Sequence, residues 1–167
     1  QGNLDQINIE KHYYYLNKIT NNLSNMYNKK VVVCIHPNDN LELKKKYFPN
    51  LEVVQHETTE NTYKAFLVLF IESSAIVDAI LLKKRILNLI SNFSGENAIN
   101  YTLEWAKRVG FLRINIEDEL KINNNKLLSK LDDAKKNYSN YIKSFIAPDG
   151  NNIGCEKIIK TLKERFF

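Results

Sequence analysis

The chain has 167 residues, of which 44% are hydrophobic and 26% charged, and its formal net charge is +5. That is one domain's worth of chain, able to bury a core and too apolar for a disordered segment. Its longest apolar stretch, Ala65 to Ile71, has the length of a strand and falls far short of the twenty or so residues of a membrane span.

The first ten residues are polar and carry no signal-peptide pattern. The two cysteines, Cys34 and Cys155, have no metal-type spacing, which places the protein in a reducing, cytoplasmic setting. The positive charge is diffuse, spread over lysine pairs and triplets such as Lys44-Lys45-Lys46 and Lys135-Lys136. Solvated helix faces are its ordinary explanation, with a weak pull toward anionic substrates or surfaces beside it.

Residues 8 to 27 space Ile9, Tyr13, Leu16, Ile19, Leu23 and Met26 three and four apart, which predicts a helix. Lys30 to Ile35 reads as a first strand, continuously apolar as in a parallel sheet covered on both faces. His36-Pro37 then opens a loop, because proline disfavours helix at the preceding residue. A short helix over 41–48 and a second strand over 51–54 follow. Thr58 or Thr59 is placed to cap the next helix. Phe66 to Ile71 is the third strand, and Ser73 and Ser74 open a helix running to Leu82. Arg85 to Ile90 is the fourth strand. Glu96 to Val109 is a helix stopped by Gly110. Phe111 to Ile116 is the fifth strand, and helices over 125–145 and 153–166 close the chain. The alternation implies an α/β protein, a three-layer, Rossmann-like, doubly wound parallel sheet in a single domain.

Such sheets bind ligands at the carboxyl ends of their strands, near the point where strand order reverses. That rule selects four groups. His36, at the end of the first strand, can donate to a phosphate and balance its charge, with Pro37 stiffening the loop. A histidine merely hydrogen-bonded to backbone is the plainer alternative. Ser73 and Ser74, with the free N–H groups of a helix start, make an anion site or an ordinary N-cap. Asp78 lies one turn after Ser74 on the same helix face and suits ribose hydroxyls; an exposed helix aspartate reads equally well. Glu57 and Thr58, in the loop after the second strand, sit where a base could lodge.

No Walker-type loop, G-x-G-x-x-G or G-x-S-x-G elbow is present, which sets aside ATPase, classical dinucleotide and serine-hydrolase readings. His36, His56 and Glu57 form no recognised metal motif, so no bound metal is expected. Tyrosines and Trp105 fall mostly at helical spacing, which favours packing over nucleic-acid binding.

The segment Val31 to Pro37, followed roughly thirty-five residues later by the segment that begins Ile71-Glu72-Ser73-Ser74 and runs to Leu87, resembles the carboxyl-terminal half of GT-B glycosyltransferases. The "HP" and "SS" pairs are similar to those of bacterial capsule and surface-polysaccharide enzymes, including sialyl- and polysialyltransferases, Kdo transferases and CDP-glycerol glycerophosphotransferases. The closing segment Ala147 to Ile159 resembles their "DG…I" helix start. The resemblance implies a nucleotide-sugar donor, a CMP-linked sugar among the candidates, as substrate and no cofactor. It implies that His36 contacts the donor phosphate and assists the leaving nucleotide, that Ser73 and Ser74 hold the same phosphates, and that Asp78 lies near the ribose, where many such enzymes have glutamate. Arg85 departs from the lysine–proline pair usual before the next strand. It further implies a partner half carrying the acceptor site, absent from these residues, and work in the cytoplasm or at the inner face of the membrane. A glycerophosphate transferase, a GT-B-type sugar-nucleotide epimerase and a non-catalytic binding or scaffold module remain the alternatives.

Overall fold

The computed structural model describes residues 2–94, 96–118, 124–146, 159–160 and 163–164. The expected closing turn at 147–150 and the start of the last helix, with Cys155, lie outside the described residues.

Helix α1 spans Gly2–Tyr27. Leu16, Ile19 and Leu23 turn inward at helical spacing, and buried Thr20 satisfies its hydroxyl on the Leu16 carbonyl at 2.8 Å. Asn28 ends the helix at φ 49°, a left-handed conformation asparagine tolerates better than most residues. Strand β1 follows (Val32–Ile35), then α2 (Leu41–Tyr47), capped by the Asn40 side chain, which accepts from the Leu43 N–H at 2.9 Å. Next come β2 (Glu52–Gln55), α3 (Thr58–Lys64), β3 (Leu67–Phe70), α4 (Ile76–Leu81), β4 (Arg85–Ile90), α5 (Glu96–Val109) and β5 (Leu112–Asn115). The stretch over 124–146 starts as α6 (Asn124–Ala134). It tightens to a 3₁₀ turn over Lys135–Asn137, resumes as α7 (Tyr138–Tyr141) and loosens to a π-turn over Ile142–Ile146.

All the paired strands are parallel, but they form two sheets rather than one: β1-β2, and β3-β4-β5. Among the described residues, β1 and β3 share no backbone ladder. They instead flank a cleft of about 570 Å³ that runs the length of both strands and is backed by Leu16, Leu23 and Tyr27 of α1. The expected continuous sheet is therefore interrupted between β1 and β3, and β1 is only half-buried until Ile35.

Strand β4 is the centre of the larger sheet and the most thoroughly buried. Leu87 and Leu89 pack in a cluster with α1, α6 and residues of β1 and β2, whereas Ile86 packs with α4, Phe111, Tyr138 and Tyr141. Period-2 alternation sends these side chains to opposite faces, so helices cover both sides of β4. Each such side chain contributes about 1.5–3 kcal/mol on full burial. Cluster one also joins the two sheets, since Ile35 and Val53 belong to it together with Leu87.

Candidate functional site

Parallel pairing places the ends of β1 and β2 side by side. Gln55, the last residue of β2, uses its side-chain amide to bind the carbonyls of His36 (3.3 Å), Pro37 (2.7 Å) and Asp39 (3.1 Å). The next residue, His56, is held at φ 66°, an uncommon conformation for a residue with a side chain. From there α3 begins, and Thr59 donates to the Asp78 carboxylate at 2.9 Å. Asp78 lies in the first turn of α4, directly after Ser73-Ser74. The chain of contacts Pro37–Gln55, then Thr59–Asp78, brings the loops after β1, β2 and β3 to one edge of the fold.

The expected site residues fall on that edge with altered local roles. His36, Pro37, Glu57, Ser73 and Ser74 are exposed, and Thr58 and Asp78 are half-buried. The His36 Nδ1 accepts a hydrogen bond from the Asn38 N–H at 3.1 Å. That contact fixes the tautomer with the proton on Nε2, leaving Nε2–H as an outward donor.

The serines do not open the helix as expected. They occupy a turn, with Ser73 Oγ accepting from the Ala75 N–H at 3.2 Å, and α4 starts only at Ile76 with Ala75 in the cap position. With six residues, α4 is too short to offer much dipole. Neither threonine caps α3: Glu57 stands there without a side-chain cap, and Thr59 is committed to Asp78. The Asp78 carboxylate thus ties the starts of α3 and α4 together.

Several contributors to this edge went unread in the sequence. Asn88, in the middle of β4 and fully buried, donates from Nδ2 to the carbonyls of Phe70 and Ile71, both at 3.1 Å. It fixes the end of β3 immediately before Glu72. Glu117, after β5, accepts from buried Ser91 Oγ at 2.8 Å and from the Asn92 N–H at 3.2 and 3.1 Å, fixing the loop after β4. His12 of α1 lies near this carboxylate; burial lowers its pKa, Glu117 opposes that shift and Lys44 adds to it. Lys44 donates to the Tyr13 hydroxyl at 2.8 Å and pairs with Asp39 at 3.6 Å. Burial pulls its ammonium pKa down, but the Tyr13 and Asp39 oxygens outweigh this and leave it raised. Asn88 alone of these left a sequence signal, a polar letter inside an apolar strand.

Cys34, in β1, is half-buried, and burial followed by the Glu57 charge pushes its thiol up. A raised thiol is a poor nucleophile at neutral pH, so packing is its evident role. Among the described residues no three His, Cys, Asp or Glu side chains gather as metal ligands, and no helix is long and apolar enough to cross a membrane.

Comparison with known families, with curated proteins and with solved structures returns no match.

Proposed function

We propose that this domain binds a nucleotide-sugar through the loops after β1, β2 and β3, as the donor-binding half of a glycosyltransferase acting on a surface or capsular polysaccharide. The observation that carries the reading is the convergence of His36-Pro37 and Ser73-Ser74 on one strand-end edge, joined through Gln55 and the Thr59–Asp78 bond. In this reading β1 and β3 flank the reversal of a three-layer, doubly wound sheet of order 2-1-3-4-5, the place where such folds take their ligands.

His36 Nε2–H donates to a donor phosphate oxygen, and the Ser73 and Ser74 hydroxyls donate to the same group. Fixed donors at that oxygen favour departure of the nucleotide phosphate, since negative charge develops there as the sugar–phosphate bond breaks. Asp78 accepts from a ribose hydroxyl only if Thr59 is released or shared. The acceptor and the base that activates it belong to a partner half.

Calorimetric titration with CMP, CDP, UMP, UDP and GDP tests the reading. One nucleotide binds, and both His36→Ala and the Ser73→Ala/Ser74→Ala pair weaken it by about tenfold, as expected for charge-assisted hydrogen bonds. Affinity unchanged by both variants would exclude these loops. Absence of binding by every nucleotide would remove the donor-binding role from this domain.

A further inference from the structure

Arg113 of β5 stands on the same rung as Asn88, which in turn pairs with Phe70 at the end of β3. Its Nε donates to Asn88 Oδ1 at 3.2 Å. Its Nη2 reaches the Thr102 hydroxyl at 3.3 Å and the Ile99 carbonyl at 3.5 Å, both in α5. All of these partners are neutral. Among the described side chains no carboxylate pairs with Arg113, whereas Arg85 is matched by Asp132 and Lys44 by Asp39; Lys84, also partly buried, is met by the Tyr63 carbonyl and ring instead. A half-buried guanidinium keeps its charge at any ordinary pH, and leaving it without a counter-ion is costly.

The relay gives this charge a direction. Asn88 makes three bonds, two donated from Nδ2 to the Phe70 and Ile71 carbonyls and one accepted by Oδ1 from Arg113. Its amide therefore couples the guanidinium to the backbone one residue before the Glu72-Ser73-Ser74 loop. The Nη1 end of the fork makes no hydrogen bond among the described residues, and a fork with a free end suits a phosphate oxygen.

We infer that Arg113, held by Asn88, is the cation of an anion site at the carboxyl end of β3, and that its ligand is a phosphate or diphosphate group. The inference deepens the nucleotide-sugar reading and rests on it for the identity of the phosphate carrier. It also places the fixed positive charge of the site on β5, two strands from the serine loop.

The test combines calorimetry and NMR on the wild-type chain, Arg113→Met, Arg113→Lys and the exposed control Arg108→Met. Melting curves establish that each variant is folded. Arg113→Met weakens the best-binding nucleotide by at least tenfold and flattens the salt dependence of its affinity. Arg113→Lys, which keeps the charge without the fork, recovers part of the loss, and Arg108→Met binds as wild type. If folded Arg113→Met binds as tightly as wild type, the inference is overturned while the nucleotide reading stands. Pyrophosphate supplies the separate arm: a shift of the Arg113 Nε–H resonance on its addition sustains the anion site even if no nucleotide binds. A resonance that stays fixed at saturating pyrophosphate and nucleotide overturns it.

Discussion

Arg85 is the clearest case of a residue whose role only the structure reveals. At the start of β4 it grips Asp132 of α6 with both arms of its fork, Nε to Oδ1 at 3.0 Å and Nη2 to Oδ2 at 2.9 Å. It also lies over the Phe66 ring at 5.0 Å, while Lys135 adds a second cation to Asp132 at 2.7 Å. The Arg85 hydrogen bond, then that of Lys135, pulls the Asp132 carboxyl down to about 2. A carboxyl depressed by folding stabilises the fold fully above its unfolded pKa, near about 4, and loses that contribution as pH falls through the folded value. The Asp132 side chain is 40% exposed, so screening keeps the contribution on the order of 0.5 kcal/mol. Asp132→Asn should therefore melt a degree or two below wild type at pH 7. The gap should shrink between about pH 4 and pH 2 and in high salt. A gap that stays constant over that pH range would assign the loss to packing rather than charge.

At the scale of elements, the apolar runs and helical spacings were legible, because burial selects them over many residues at once. Strand β4 and helix α5 begin and end where the pattern places them, at Arg85–Ile90 and Glu96–Val109. The serine turn before α4 was not legible. A short polar segment can satisfy its own backbone in several ways, and here Ser73 serves a turn instead of a helix cap. The same holds for Thr59, whose hydroxyl meets a carboxylate from another element. Gly110 shows the opposite case, a local signal strong enough to read alone. It adopts φ 78°, and a Cβ there would run into the Asn137 side-chain amide. Gly110→Ala should cost about 1 kcal/mol or more, from the left-handed backbone and from displacing Asn137. Denaturant unfolding measures the loss. A variant as stable as wild type would mean that the α5–β5 turn can rearrange without cost.

For the molecule as a whole, alternation of helices and strands made the α/β class and the parallel pairing readable, while strand neighbours separated by long stretches of chain were not. No residue pattern in β1 or β3 declares whether each has a second partner, because valine, leucine and isoleucine suit a paired and an unpaired edge alike. The structure leaves that seam open along a cleft of about 570 Å³, with the candidate ligand loops at its carboxyl end. Backbone groups there lack the protection that ladder hydrogen bonds give, and Leu16 and Leu23 of α1 pack in the cluster that reaches both sheets. Hydrogen exchange should accordingly divide the molecule. Amides of β4, laddered on both sides between β3 and β5, should exchange slowest. Amides of β1 and β3 that face the cleft should exchange faster than those bonded to β2 and β4. Added nucleotide should slow the cleft-facing amides, since a ligand spanning the loops after β1 and β3 opposes their separation. Equal protection on both edges of β1 without ligand would mean that the seam closes in solution and that the two sheets behave as one.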